Sequence, residues 1–449
     1  MSDSVERIRL QFLTRGALGA RDLARALGVS QPTVSRALGA MGSALVRIGR
    51  GPRSRYGLAA PIGGLGHSWP LYQIDPLGSP REIGILHSLA ASAWWLESAS
   101  GAPWPSLTAG EFPDGIFPGF PWFLDDLRPQ GFLGRSFARR HGLGLGVGPD
   151  PAEWPERAVV ESLLRFGAEL PGAFVLGGVA LAEALRSRND ELISAESRPE
   201  VYPRLAAEAL AGGLPKSSAG GEQPKFTATL TTGEGLQSVI VKFSPPFGSP
   251  EGRRWADLLA AEAIASEVLA EAGFATARTG FFDAGGRRFL EVERFDRTSS
   301  GGRIPCVSLR AHDAAFFGEM NTPWTGAALR LRSHGWLDAE NAARLASLWR
   351  FGRLIANTDM HYGNVSLVLA EHPPLRLAPV YDMLPMAYRP GPENAIPDLS
   401  KELLELARTE FADCTERATA GHFWTRVADS EHISSAFRAM AATHAETLQ

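Results

Sequence analysis

Leu348–Leu369, LWRFGRLIANTDMHYGNVSLVL, followed by Leu375–Pro385, LRLAPVYDMLP, is the stretch on which the fold turns. Its opening reads as a helix that delivers Asn357, Thr358 and Asp359 to a loop. Asp359 and Asn364 stand five positions apart, the Asp-x-x-x-x-Asn spacing of a phosphoryl-transfer loop. In such a loop the Asp accepts the proton of the attacking hydroxyl or positions that hydroxyl, and the Asn ligates Mg²⁺. A strand-like VSLVL follows, and then a second acid, Asp382. It appears as Tyr-Asp-Met, not as Asp-Phe-Gly. Two acids and an amide are hard oxygen donors, suited to Mg²⁺ and not to zinc. His361, Tyr362 and Gly363 inside the loop, and Tyr381 beside the second acid, are expected to line a nucleotide.

A nucleotide site needs phosphate contacts, and the chain upstream supplies candidates. LPKSSAGGEQPKFTATL, 214–230, places small residues just before a strand. Gly220 and Gly221 let backbone N–H groups turn towards an anion, Glu222, Gln223 and Pro224 continue the loop, and Lys225 adds a point charge. The loop is neither a Walker A motif nor a GxGxxG fingerprint, and taken alone the Gly pair reads better as a hairpin turn. LQSVIVKFSP, 236–245, is a β-type run with Lys242 near its end. A lysine in so apolar a strand is costly unless it is paired or faces a ligand. Kinases grip nucleotide phosphates with such a strand Lys, held by a helix Glu. Glu262 on the helix-like stretch 255–274 is the matching acid, although a snorkelling edge-strand Lys and an exposed Glu fit these residues equally well. FLEVERFDR, 289–297, puts Glu293, Arg294 and Phe295 at a passage between lobes, where backbone groups can meet an adenine edge. The ordered set of Gly loop, strand Lys, helix Glu, Asp…Asn and second Asp predicts phosphotransfer with ATP and Mg²⁺.

At 449 residues the chain exceeds one ordinary core, and 44% hydrophobic with 21% charged residues describes a globular protein and excludes a disordered one. No apolar run reaches the roughly 18 residues that span a bilayer, and the N-terminus lacks a signal peptide's apolar stretch. The two cysteines, Cys306 and Cys414, form no CxxC or Cys/His cluster, which excludes a disulfide framework and structural zinc. Buried structural thiols and a cytoplasmic location, nucleoid-associated if DNA is bound, are the expectation. Residues 61–150, rich in Gly, Pro and Trp, are expected to pack irregularly, with Trp104, Trp122 and Phe123 in the core.

Charge is uneven. Residues 1–60 carry ten Arg against Asp3, Glu6 and Asp22, a net of +7, which leaves −11 for the rest. A basic head on an acidic body points to a polyanion at one end. ARDLARALGVSQPTVSRALGAMG, 20–42, reads as two helices joined at Gly28–Val29, with Ser30 as N-cap. In a helix-turn-helix the second would enter the DNA major groove, leaving Gln31, Thr33, Ser35 and Arg36 for bases or phosphates. ALVRIGRGPRSRYGLA, 44–59, follows as strand, turn and strand, a wing with Arg50, Arg53 and Arg55 against phosphates. A three-helix protein-interaction module is the alternative. The region resembles winged helix-turn-helix domains of bacterial regulators.

SSAGGEQPK, VIVKF, EVERFDR, NTDMHYGN and APVYDM resemble, in order, motifs of the HipA-type toxin kinases, and the N-terminal pattern is similar to the branch with its own helix-turn-helix. The resemblance runs from about residue 61 to the end. It implies an α+β fold: a winged helix-turn-helix over 1–60, a kinase N-lobe with an accessory subdomain over 61–297, and a helical C-lobe over 298–449. It implies a Ser/Thr protein kinase that autophosphorylates at Ser218, or at Ser217, in the loop before the Gln-x-Lys element. Gly220 to Lys225 would form the phosphate loop, Lys242 the phosphate grip, and Glu293 to Phe295 the adenine side. Asp359 would be catalytic, with Asn364 and Asp382 holding Mg²⁺. A translation factor or aminoacyl-tRNA synthetase as substrate, and a separate antitoxin, are implied by the family alone. Two further readings remain open: a DNA-binding transcription regulator with a ligand-sensing body, and a small-molecule kinase.

Overall fold

The computed structural model describes residues 2–99, 104–112, 114–186, 192–211, 223–320, 322–391, 411 and 414–448. The basic head consists of α1 (Ser2–Arg15), β1 (Leu18–Gly19), α2 (Ala20–Leu27), α3 (Gln31–Met41), β2 (Leu45–Ile48) and β3 (Arg55–Leu58), with strand order β1-β3-β2. Gly28 ends α2 at φ +66°, a left-handed conformation that glycine adopts at little cost. Ser30 then caps α3, accepting from the Thr33 N–H at 3.4 Å. Ile8, Phe12, Leu23, Val34 and Leu38 meet as the core of the head. Ala17, Val46 and Ile48 pack instead against Leu89, Ala93 and Trp95, so the head is seated on the segment that follows it.

Over residues 61–150 the structure departs from the irregular packing expected. A five-stranded antiparallel sheet, order β7-β6-β5-β4-β8, is built from β4 (Ser68–Ile74), β5 (Pro80–Ser88), β6 (Trp94–Ser98), β7 (Ile116–Phe117) and β8 (Phe174–Leu176). Its period is obscured in sequence because Pro70 lies within β4, Pro80 opens β5, and a bulge falls between Leu71 and Tyr72. Helices α4 (Gly131–Leu145), α5 (Glu156–Phe166) and α6 (Gly178–Arg186) accompany it. Phe174 and Leu176 share a core with Val160 and Leu163 of α5, while Val175 faces Ala180 and Ala184 of α6. Trp104, Trp122 and Phe123 are buried.

A second five-stranded sheet has the order β12-β13-β11-β10-β9. Its members are β9 (Leu192–Ser194), β10 (Lys225–Thr232), β11 (Gly235–Phe243), β12 (Thr279–Ala284) and β13 (Arg287–Glu293). Val239, Val241, Phe243 and Phe289 form one face with Tyr202 of α7 (Arg198–Ala211). Leu290 and Val292 form the other, against Leu259 and Ala263 of α8 (Pro250–Glu271). Alternation along β11 thus sends Val241 to α7 and Lys242 towards α8. Ser249 caps α8 on the Gly252 N–H at 3.0 Å, and the helix sinks into the core through Ala260, Ala261 and Ala265.

The remainder is helical around a small sheet, β14-β15-β16, made of Cys306–Ser308, Ser366–Val368 and Arg376–Leu377. The helices are α9 (Leu309–Phe316), α10 (Trp324–Ser333), α11 (Ala339–Leu354), α12 (Glu416–Asp429) and α13 (Ser435–Leu448). One continuous core joins the first sheet, α8 and these helices. Cys306 and Cys414 are free and half-buried, less enclosed than expected. Among the described residues no helix is long and apolar enough to cross a membrane.

Candidate active site

Lys242 lies on the central strand of the second sheet and is buried, so the edge-strand reading is excluded. A buried ammonium needs compensation. Glu262 of α8 supplies it bidentately, at 2.6 and 2.8 Å from Nζ, and Asp382 Oδ1 is a third acceptor. Burial by itself would lower the Lys242 pKa; the Asp382 and Glu262 carboxylates outweigh it and raise the pKa. For Asp382 burial acts upward, but the Lys242 and Lys225 charges hold its carboxyl down at about 2. Burial raises Glu262, against the pull of Lys242. Lys225 pairs directly opposite Lys242 across β10 and β11, which brings both cations to one face.

The Asp-x-x-x-x-Asn loop leaves α11 through Ala356, at φ +62°. Asn357 is buried and ties two segments together: its Oδ1 accepts from the Asp359 N–H at 3.0 Å, and its Nδ2 approaches the Asp382 carbonyl at 3.4 Å. Asn364 Nδ2 donates to the Asp359 carbonyl at 2.8 Å, which closes the loop on itself. His361 Nδ1 accepts from the Gly363 N–H at 3.0 Å, and its Nε2 lies 3.9 Å from Asp359. Tyr381 donates to the Gly363 carbonyl at 3.0 Å and lies 2.9 Å from Ser366 Oγ. Asp382 itself has φ +54°, unusual for a non-glycine residue. Asp359, Asn364 and Asp382 are therefore linked through Asn357, Gly363 and Tyr381. Asn357 received no role from sequence; its signal was an amide two residues before the loop acid, the spacing of an Asx-type turn.

Other expected site residues are placed differently. Tyr362 is buried, its hydroxyl 2.6 Å from Thr322 Oγ1 and 3.0 Å from Arg330 Nη2. Arg294 is also turned inward: its guanidinium is buried on Asp296 at 3.0 and 2.8 Å, and its N–H donates to Ser238. The Glu293 N–H is used by the Arg278 carbonyl, and its carboxylate receives Arg278 at 2.8 Å and Gln237 at 3.2 Å. Phe295 is stacked on Tyr381 at 5.6 Å and 28°. Gln223 Nε2 donates to the Phe243 carbonyl at 2.5 Å, and the Pro224 carbonyl accepts from the Phe243 N–H at 3.2 Å. Ser217, Ser218, Gly220, Gly221 and Glu222 lie outside the described residues. Two clefts among the described residues, of about 790 and 550 Å³, are lined by residues such as Phe137 and Arg204, not by Lys242 or the Asp359 loop.

In the head, Gln31, Ser35, Arg36, Arg50 and Arg53 are exposed and Thr33 is half-buried. Arg55 is engaged within the protein. Its half-exposed guanidinium donates to the Ala17 carbonyl at 2.7 Å and lies 3.6 Å from Asp114.

A mixed α+β fold that buries a strand lysine on a helix glutamate beside an Asp-x-x-x-x-Asn loop is that of a kinase-like protein. Residues 217–448 match the HipA-like C-terminal domain, and residues 65–185 match the YjjJ-like toxin middle domain. Toxin YjjJ of Escherichia coli (strain K12) is 35% identical over 436 residues, 96% of this chain and 94% of its own. The chain belongs to the HipA-like toxin family. Its fold is similar to that of a chain in the Shewanella oneidensis MR-1 complex of HipA, HipB and operator DNA. That likeness has a TM-score of 0.53 and 15% identity over 85% of this chain and 95% of the other. The Helicobacter pylori proinflammatory kinase CtkA aligns at a TM-score of 0.34 and 13% identity over 52% of this chain and 90% of its own, too loosely to argue from.

Proposed function

We propose that this protein is an ATP- and Mg²⁺-dependent serine/threonine protein kinase that also binds DNA through residues 1–60. The observation that carries the kinase reading is Lys242, buried on a central strand and held by Glu262 and Asp382. A buried ion pair seldom adds stability over an apolar core, so its retention fits a catalytic role. Lys242 would neutralise nucleotide phosphates with Lys225 beside it, and the backbone of Phe295 would meet the adenine edge. Asp382 and Asn364 would hold the metal. Among the described residues no group of three or more His, Cys, Asp or Glu gathers. An Asp–Asn pair is nevertheless sufficient for Mg²⁺, which keeps water and phosphate oxygens in its shell. When bound, ATP with Mg²⁺ supplies the phosphoryl group and an electrophilic cation bridging its oxygens. Asp359, half-buried and next to solvent, would orient the acceptor hydroxyl and take its proton.

Ser218 as an acceptor rests on the sequence resemblance. The head's support is its +7 balance and the exposed Gln31, Arg36, Arg50 and Arg53 on a capped helix pair and hairpin. The Shewanella complex of HipA with HipB and operator DNA makes an antitoxin partner a reasonable candidate here as well. Incubation with γ-labelled ATP and Mg²⁺ tests the reading. Label on the protein that disappears in Asp359→Ala and Ser218→Ala supports it. Absence of label with intact DNA binding would favour a regulator with a ligand-sensing body, and turnover only with an added metabolite would favour a small-molecule kinase.

A further inference from the structure

We propose that Tyr362 is a positioning residue for the catalytic loop, clamped from outside that loop by Thr322 and Arg330. The inference deepens the kinase reading and rests on it. Tyr362 lies between Asp359 and Asn364, so the loop cannot move without moving its ring. The hydroxyl is 2.6 Å from Thr322 Oγ1 and accepts from Arg330 Nη2 at 3.0 Å. Thr322 Oγ1 donates to the Glu319 carbonyl at 3.1 Å and accepts from Arg330 Nη2 at 2.8 Å. Either hydroxyl of the Tyr362–Thr322 pair can donate to the other, and both accept from Arg330 Nη2.

Arg330 is anchored in turn. Its Nη1 is 2.8 Å from Glu319 Oε2, and its Nη2 is 3.5 Å from the buried Asp313 carboxylate. Asp313 closes the ring by accepting from the Glu319 N–H at 2.7 Å. The adjacent Gly363 is gripped from the opposite side, where Tyr381 donates to its carbonyl. The loop that carries Asp359 and Asn364 is thus held at two consecutive residues, from α10 on one side and from the Asp382 segment on the other. A tyrosine that served only as core filler would need one partner for its hydroxyl. This one sits in a charged network that reaches two acids outside the loop.

The test compares Tyr362→Phe, Thr322→Val and Thr322→Ser in the full chain with γ-labelled ATP and Mg²⁺. The fraction of folded protein is measured alongside. Removing the hydroxyl keeps the ring in the core but frees the loop. Tyr362→Phe and Thr322→Val are expected to lower kcat about tenfold per folded molecule with KM for ATP unchanged, and Thr322→Ser to restore it. Amide hydrogen exchange over residues 359–364 should quicken in Tyr362→Phe. An unchanged kcat, or a loss fully explained by unfolded protein, overturns the proposal. If the parent chain transfers no phosphate, the kinase reading fails, and the exchange measurement alone decides the clamp: equal protection in parent and variant removes it.

Discussion

The proposed catalytic site and the basic head would both work through charge, but in opposite surroundings. In the proposed site Lys242 and Glu262 are withdrawn from water and, together with the half-buried Asp382, fixed by one another, so their value depends on geometry at the level of a fraction of an ångström. In the head Arg36, Arg50 and Arg53 stand in solvent on a scaffold stabilised by apolar residues such as Phe12 and Val34. There the count of charges matters more than their exact bonds, and salt screens them. Arginine illustrates the same division. Arg294 and Arg297 are buried on Asp296, and Arg297 also donates to the Gly172 and Leu170 carbonyls at 3.1 and 2.8 Å, so they are structural cations.

The contrast can be broken most sharply at Asp359. Its replacement by Ala should reduce phosphoryl transfer by about 10²–10⁴-fold while binding of a fluorescent ATP analogue persists. Retained transfer would remove Asp359 from the chemistry. A structural charge should instead act on stability. Asp296→Asn leaves Arg294 and Arg297 buried without their shared counterion, and should cost about 3–5 kcal/mol in urea unfolding. Burial pushes the Asp296 pKa up, but the two guanidinium groups outweigh it and hold the carboxyl well below its ordinary range. Its contribution is therefore complete above about pH 4 and declines as acid titrates it, so the gap between parent and variant should narrow on acidification. A gap that widened in acid would contradict this.

In the head the expected effects are smaller and depend on salt. Replacing Arg50 and Arg53 together by Ala should weaken binding to any duplex and reduce the slope of log K against log salt by about two. An unchanged slope would mean that the hairpin does not touch phosphates. Arg55→Ala is the finest discriminator. It should leave that slope alone and lower thermal stability by about 1 kcal/mol, through the lost bond to Ala17. If its slope fell as far as that of Arg53→Ala, Arg55 would face phosphates despite its bond to Ala17.

Local chemistry made the head's helices readable from sequence. Gly28 ends one helix and Ser30 begins the next, whatever the rest of the chain does. The sheet over 68–176 was hidden because Pro70, Pro80 and a bulge interrupt its alternation. The candidate site was legible as a set of residue types, since Lys242, Glu262, Asp359, Asn364 and Asp382 follow in an order that chance seldom provides. Their relation was not. Lys242 and Glu262 fitted an edge strand and a solvated helix equally well until β13 and β10 closed around β11 and buried the pair.

By itself, then, the sequence determined the chemistry available to this protein: which acids, which cations and which turns. Only the tertiary structure decided which of them converge and which way they point. It turned Tyr362 and Arg294 inward, gave Arg55 to Ala17, left Phe295 facing Tyr381, and made Asn357 the link between Asp359 and Asp382. The reason is physical. Side-chain direction and burial depend on contacts between segments far apart in the chain, and no local pattern encodes them.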